Sequence, residues 1–442
     1  MAKDAVKTSE ESEKNEDILN CHAMQFCRLI GLCDGQSCSR RLKSAILNQN
    51  TLPPSLYFLV KDHKPWTPGD PLPARPVCGA KTAHNGQLGF MLSKVLDAAS
   101  DVMAKKHATE CSSTQDLIAA IEERINQHQN IRDLVFVSSN VVSLYPSLLV
   151  QPCATIIARM LREGDLVVEG INWDQAVLYL AVTLTRARVQ ELGLQEVVPA
   201  RRKTGGRGAP GIVTKEVRGP LQEDKDWESS LFFKPARSPT EQEKKQVFSL
   251  CVEQGLLAAL GSHLYTWHQE VKKQEDGLGI GLDLARAAGR LVMLDWDLQL
   301  LQLARDNELK VLMYKWYMDD SGAGLEALKP GVRWSEEEGR MILHPHLAQE
   351  DLTVAADFRT MRELFKMGNS IHPMIQLTGD CPSNNASGKM PMLDIQVWVE
   401  GSAVQYEHYR KPMANPLVML KMSTMPSTIK RTTLTQEVVR IR

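Results

Sequence analysis

The 442-residue chain carries 52 Lys and Arg against 53 Asp and Glu, for a formal net charge of −1, and is 43% hydrophobic and 24% charged. That composition excludes an intrinsically disordered chain and a protein that coats nucleic acid by bulk charge; any polyanion binding must come from local basic patches. No apolar run approaches the ~18 uncharged residues of a membrane span, Met1-Ala2-Lys3-Asp4 lacks the apolar core of a secretory signal, and nine Cys suit reduced thiols, so the expectation is an intracellular protein, nuclear or cytoplasmic.

Residues 1–18 are acidic and almost free of large apolar side chains, which predicts disorder, and 18–46 hold a short apolar-periodic stretch. Cys21, Cys27, Cys33 and Cys38 lie close together without a Cys-x-x-Cys pair and read as thiols rather than a zinc site. Between Thr51 and Val77 seven prolines rule out continuous helix and imply extended segments joined by rigid turns, with Lys61 and Arg75 as flanking cations. Apolar spacing predicts helices over 85–103 and 114–125, the second capped by Ser112, Ser113 or Thr114. Leu134-Val135-Phe136-Val137 reads as a buried strand.

Helices are expected again at 151–161 and 173–192. From 194 to 239 the pattern breaks into Gly, Pro and basic residues, predicting a long loop or β-arm. Arg201, Arg202, Lys203 and Arg207 there, beside Gly205-Gly206, have the composition of a phosphate tracker, with a solvated basic loop as the plainer alternative. Thr240-Glu241-Gln242-Glu243 is a capping-box signature that should open a helix through 275. Gly277-Leu278-Gly279-Ile280-Gly281 then precedes an apolar helix over 282–303. With no strand expected before it and half the pattern missing, it is a poor dinucleotide fingerprint. Met374–Leu377 and Met392–Val399 are expected to pair as a hairpin, and His344-Pro345-His346 reads as a surface loop.

Tyr317-Met318-Asp319-Asp320, between the apolar run that includes Leu312-Met313-Tyr314 and the small residues Ser321-Gly322-Ala323-Gly324, places two adjacent carboxylates in a tight turn. Adjacent acids repel, and a divalent cation offsets that repulsion; an ordinary Asp-Asp surface turn is the alternative.

Together with Asn140-Val141-Val142-Ser143-Leu144-Tyr145-Pro146-Ser147, this turn resembles motifs C and A of reverse transcriptases of Penelope-like retroelements. Leu56–Lys64 and Pro73–Val77 resemble the fingers, Gly277–Leu282 with the helix through Asp297 resembles motif B, and Pro391–Val397 with Arg410-Lys411-Pro412 resembles the passage from palm to thumb. The resemblance runs collinearly over about 51–440.

The resemblance implies an α+β, right-hand polymerase: an antiparallel palm sheet backed by helices, with fingers and an incomplete thumb. Its implied plan is an N-terminal extension (1–50), fingers (51–130), motif A (131–150), a helical insertion with the basic arm at 200–218 (151–276), motifs B and C with the following strands (277–400) and a truncated basic thumb (401–442). It implies a nucleotidyltransferase adding dNTPs to a primer 3′-hydroxyl on an RNA or DNA template through two Mg²⁺ ions, or Mn²⁺, held by Asp319 and Asp320. Lys61 and Arg75 would face the triphosphate, Tyr145 would exclude a ribose 2′-hydroxyl, and Gly279 and Gly281 would let the backbone approach substrate. One departure stands out. Where the family carries a metal-binding Asp, this chain has Asn140, a neutral side chain that cannot bridge two cations, which predicts impaired catalysis or a non-catalytic nucleic-acid-binding remnant.

Overall fold

The computed structural model describes residues 19, 22, 23, 25, 26, 53–60, 66–71, 73–79, 83, 85–107, 109–127, 133–164, 173, 178–180, 184–201, 212–216 and 232–409. An antiparallel pair opens this set, β1 (Leu56–Val60) with β2 (Ala74–Cys78), in which Leu59 stands opposite Arg75. Helix α1 (Gly86–His107) ends on the basic residues Lys105, Lys106 and His107, and the two lysines suit the negative end of its dipole. Helix α2 (Thr114–Ile121) starts at Ser113, whose hydroxyl accepts from the Asp116 N–H while the Asp116 carboxylate accepts in return, and it continues into one π turn (Glu122–Asn126). Strand β3 (Leu134–Val141) leads into a single helical turn, α3 (Leu144–Ser147), and then α4 (Val150–Glu163).

Strands β4 (Leu178–Tyr179), β5 (Leu194–Arg201), β6 (Ile212–Glu216) and β7 (Phe232–Pro235), with α5 (Arg186–Glu191) before β5, form a sheet of order β4-β7-β5-β6. Helix α6 (Glu241–Gly261) opens on the expected capping box of Thr240 and Glu243. A hairpin of β8 (Leu264–Trp267) and β9 (Glu270–Lys273) precedes α7 (Asp283–Asp306). Strands β10 (Val311–Tyr317) and β11 (Asp320–Glu326) follow, then the hairpin β12 (Val332–Ser335) and β13 (Arg340–Leu343). Helices α8 (Ala348–Asp351) and α9 (Ala356–Ile371), strand β14 (Leu377–Asp380) and the sheet of β15 (Met390–Met392), β16 (Ile395–Glu400) and β17 (Ala403–His408) complete it.

The fold is thus mixed helix and antiparallel sheet, and its centre is the sheet β10-β11-β3-β14. Because side chains alternate along a strand, β3 sends Val135 and Val137 to one face and Leu134 and Phe136 to the other. The first pair joins a core with α1, α4, α6, α7 and α9, including Leu92, Ile157, Leu256, Leu291 and Met367. The second pair packs on α2, the π turn and the β15–β17 sheet, through Leu117, Ile125, Met390 and Val397. A strand covered on both faces needs a continuous apolar run, which is how Leu134–Val137 is written.

Three expectations are overturned. Residues 173–192 do not form one helix: Leu178 and Tyr179 pair with Phe233 and Phe232, and helix begins only after Thr185, whose hydroxyl accepts from the Arg188 N–H. Tertiary pairing outweighs the helical spacing of the apolar residues there. The helix from Thr240 ends at Gly261, because Leu264-Tyr265-Thr266-Trp267 are strand formers and His268 and Gln269 both take positive φ, 49° and 66°, as a two-residue hairpin turn requires. A strand therefore does precede Gly277. Finally, β14 pairs with β3 whereas β16 pairs with β15 and β17, so 374–377 and 392–399 are not partners.

Candidate functional site

Tyr317 and Asp320 close the β10–β11 hairpin, leaving Met318 and Asp319 as its two loop residues. Met318 has φ +56° and Asp319 does not share it, the φ pattern of a turn that ordinarily takes Gly at its first loop position. A Cβ-bearing residue held there costs on the order of 1–2 kcal/mol. The hairpin is tied down by the Val141 N–H, which donates to the Asp319 carbonyl at 2.8 Å and fixes the turn to the end of β3.

The register places Asn140 directly opposite Asp320 on one side and Thr378 on the other. Asn140 Nδ2 donates to Asp320 Oδ1 at 2.6 Å, a charge-assisted bond shorter than a neutral amide pair. The reverse amide orientation would set oxygen against carboxylate, so the donor end must face Asp320. On the opposite face of the sheet the Ser139 and Ser321 hydroxyls bond to one another, Tyr314 hydrogen-bonds Ser321, and the Tyr314 hydroxyl donates to Asp297 Oδ1 at 2.6 Å. Asp297 is fully buried on α7, and burial pushes its carboxyl well above the usual carboxylate range while the Tyr314 hydrogen bond pulls it down. The base of the hairpin is therefore bonded on both faces.

Tyr145 sits on the single turn α3, half-buried. Burial, then the Asp319 carboxylate, push its phenol up, while the Arg286 and Arg75 cations pull it down; these four groups share one neighbourhood. The glycine-rich segment packs against the same turn. The Leu278 N–H donates to the Tyr145 carbonyl at 2.7 Å, and a Cβ on Gly277 (φ +75°) would lie 2.6 Å from the Pro146 carbonyl. Gly281 (φ +106°) would bring a Cβ to 2.3 Å from the Cys78 carbonyl, beside the bond from the Cys78 N–H to the Ile280 carbonyl. The close backbone approach expected of Gly281 is thus made to this chain's own β2, and Gly279 sits against Gln274, Leu282 and His263.

A cavity of about 200 Å³ opens between the hairpin and α7, lined by Tyr145, Arg286, Gly289, Arg290, Tyr317 and Met318 among others. Gly289 makes room for it, since a Cβ there would stand 3.3 Å from the Tyr145 ring. Arg286 and Arg290 do not stand out in the sequence. Their only local signal is an i, i+4 basic pair after the glycines, and their meaning depends on acids elsewhere: Arg286 pairs with Asp97 at 2.7 Å, and Arg290 grips Glu110 with two bonds of 2.7 and 2.6 Å and Asp101 at 2.8 Å.

Of the residues expected at the site, Asn140, Tyr145, Asp319 and Asp320 are brought around the hairpin and its neighbouring turn, Gly279 and Gly281 pack instead on His263, Gln274 and β2, and Arg75 is exposed on β2 within electrostatic reach of Tyr145. Lys61, Arg202, Lys203 and Arg207 lie outside the described residues; the backbone of Arg201 pairs with Ile212 at the end of the β5–β6 ladder. The four clustered Cys and the basic run after Arg410 also lie outside them.

Asp319 and Asp320 are the acids that could hold a divalent cation. Among the described residues no group of three or more His, Cys, Asp or Glu is placed to do so. The side chain opposite Asp320 presents N–H and occupies one of its oxygens. Such a donor set does not fit a pair of Mg²⁺ or Mn²⁺ ions, which needs bridging carboxylate charge. No described helix is long and apolar enough to cross a membrane.

No protein-family model and no curated protein matches the sequence. Among solved structures, similarity is found to a telomerase from Candida albicans in complex with a fragment of telomeric RNA, at 8% identity and TM-score 0.39 over 81% of this chain and 47% of that one. A truncated apo telomerase from Candida tropicalis gives 9% and 0.37 over 80% and 55%, and the RNA-dependent RNA polymerase of BmCPV gives 11% and 0.37 over 87% and 24%. The chain spans about half the length of these telomerases.

Proposed function

We propose that this chain is the fingers and palm of a retroelement reverse transcriptase, Penelope-like in its motifs, in which nucleic-acid binding persists and nucleotidyl transfer is impaired at Asn140. The observation that carries the reading is the register of β3 and β11. Two segments 180 positions apart, each resembling a polymerase motif, meet with Asn140 against Asp320. Tyr145 and the glycine-rich segment, resembling the remainder of motif A and motif B, converge on the same hairpin. An unrelated phosphohydrolase would account for Asp319 and Asp320 but gives no reason for that convergence.

In this reading Arg75, with Lys61, meets the phosphates of an incoming nucleotide, and Tyr145 limits the space at its sugar. The template–primer is held through backbone phosphates and A-like shape, so binding is sequence-tolerant and salt-sensitive. The chemistry would require cations that the Asn140–Asp320 pair does not accommodate. The deciding experiment offers the purified chain a primed RNA template and dNTPs with Mg²⁺ or Mn²⁺, alongside binding of the same hybrid. Salt-dependent binding with little or no extension is expected. Robust extension would overturn the impairment, and failure to bind hybrid at low salt would overturn the polymerase reading itself.

A further inference from the structure

We infer that Asn140 is a built-in replacement for a cation: its amide, not a divalent ion, holds the Asp319–Asp320 hairpin against β3, and the folded chain needs no metal there. Charge gives the first reason. A carboxylate at position 140 would face Asp320 across a contact of 2.6 Å, and two carboxylates so close cannot both ionise unless a proton or a cation lies between them. An amide removes that requirement. It supplies the positive end of an N–H dipole to Asp320 and carries no charge that needs neutralising.

Two further sets of bonds make the arrangement self-sufficient. The Val141 N–H holds the Asp319 carbonyl at 2.8 Å, so the strained turn at Met318 is anchored through backbone. On the other face of the sheet, Ser139, Ser321, Tyr314 and Asp297 form a continuous hydrogen-bonded line from the hairpin base into the core of α7. None of these bonds involves a site for an ion. Asp320 has one oxygen committed to Asn140, and Asp319 is left without a third acid to complete a cation's shell among the described residues.

Cation replacement depends on this local geometry and not on nucleic-acid binding, so the two can fail separately. The test uses the full chain, with thermal melting in chelator and in millimolar Mg²⁺, and Mn²⁺ uptake followed by electron paramagnetic resonance. The unaltered chain should melt at the same temperature in both buffers and take up no Mn²⁺ that Asp319→Asn abolishes. Asn140→Asp should melt a few degrees lower in chelator, regain stability in Mg²⁺, and hold Mn²⁺ about tenfold or more tighter than the unaltered chain. Asn140→Ala keeps the test alive if the acid variant does not fold: it should melt below the unaltered chain by the same amount in both buffers. Mn²⁺ bound by the unaltered chain and released by Asp319→Asn would overturn the inference. So would an Asn140→Ala chain that melts where the unaltered one does.

Discussion

Tyr145 is the residue whose role can be isolated most cleanly, because it touches the site without being bonded into the hairpin. Its ring lies against the bare Cα of Gly289 and lines the cavity beside Met318. A steric element at an open cavity acts on what enters rather than on folding. We predict that Tyr145→Val, placed in an Asn140→Asp chain that extends primers, lets ribonucleotides compete with deoxyribonucleotides while the melting temperature falls only modestly. The check is single-nucleotide extension with rNTP against dNTP. Unchanged discrimination together with a large drop in stability would return Tyr145 to the core. The residue type and its place five positions after Asn140 were readable in the sequence; that Gly289 opens the space beside it was not, since α7 arrives from far along the chain.

At the level of elements, two joints between segments can be tested. The first is the glycine-rich segment, where Gly281 takes φ +106° and a Cβ would lie 2.3 Å from the Cys78 carbonyl. Gly281→Ala should therefore cost on the order of 1–3 kcal/mol, read as a lower urea midpoint with an unchanged slope. The second joint ties β12 to α8: Arg333 donates to Asp351 with bonds of 2.6 and 2.5 Å, and the Gly331 N–H adds a third at 2.7 Å. The Arg333 guanidinium holds the Asp351 carboxyl down at about 2, below its ordinary 3.8. A depressed folded-state value stabilises above the unfolded value and is lost as pH falls through the folded one, so the window runs from about pH 4 down to about pH 2. The stability gap between the unaltered chain and Asp351→Asn should shrink across that window and stay flat from about pH 5 to about pH 7; urea midpoints at each pH measure it. A gap that does not close in acid would mean that packing, not the ion pair, makes the joint.

For the whole molecule, a formal net charge of −1 means that affinity for a hybrid must be local. We propose that Arg201, Arg202, Lys203 and Arg207, neighbours in sequence, supply such a patch. Replacing all four with Ala should flatten the dependence of hybrid binding on salt by up to roughly 0.7–0.9 in log–log slope for each phosphate no longer neutralised, with no change in sequence preference. An unaltered slope would leave the arm as a solvated basic segment.

The amino-acid sequence by itself determined the local pieces: a cap within Ser112–Thr114 and one at Thr240, the buried run of β3, the long helix α7, the turn at Met318-Asp319 and the absence of an acid at position 140. Each is written within a few residues, where hydrogen bonds and side-chain periodicity act directly. Only the tertiary structure decided which pieces meet. Leu178-Tyr179 are strand because Phe232-Phe233 lie beside them, β14 chooses β3 over β16, and Arg290 gains its purpose from Glu110 and Asp101. The same holds at the centre of the molecule. A carboxamide at position 140 is chemically neutral in isolation, and it becomes a counterpart to Asp320 because covering both faces of β3 brings β11 alongside in that register.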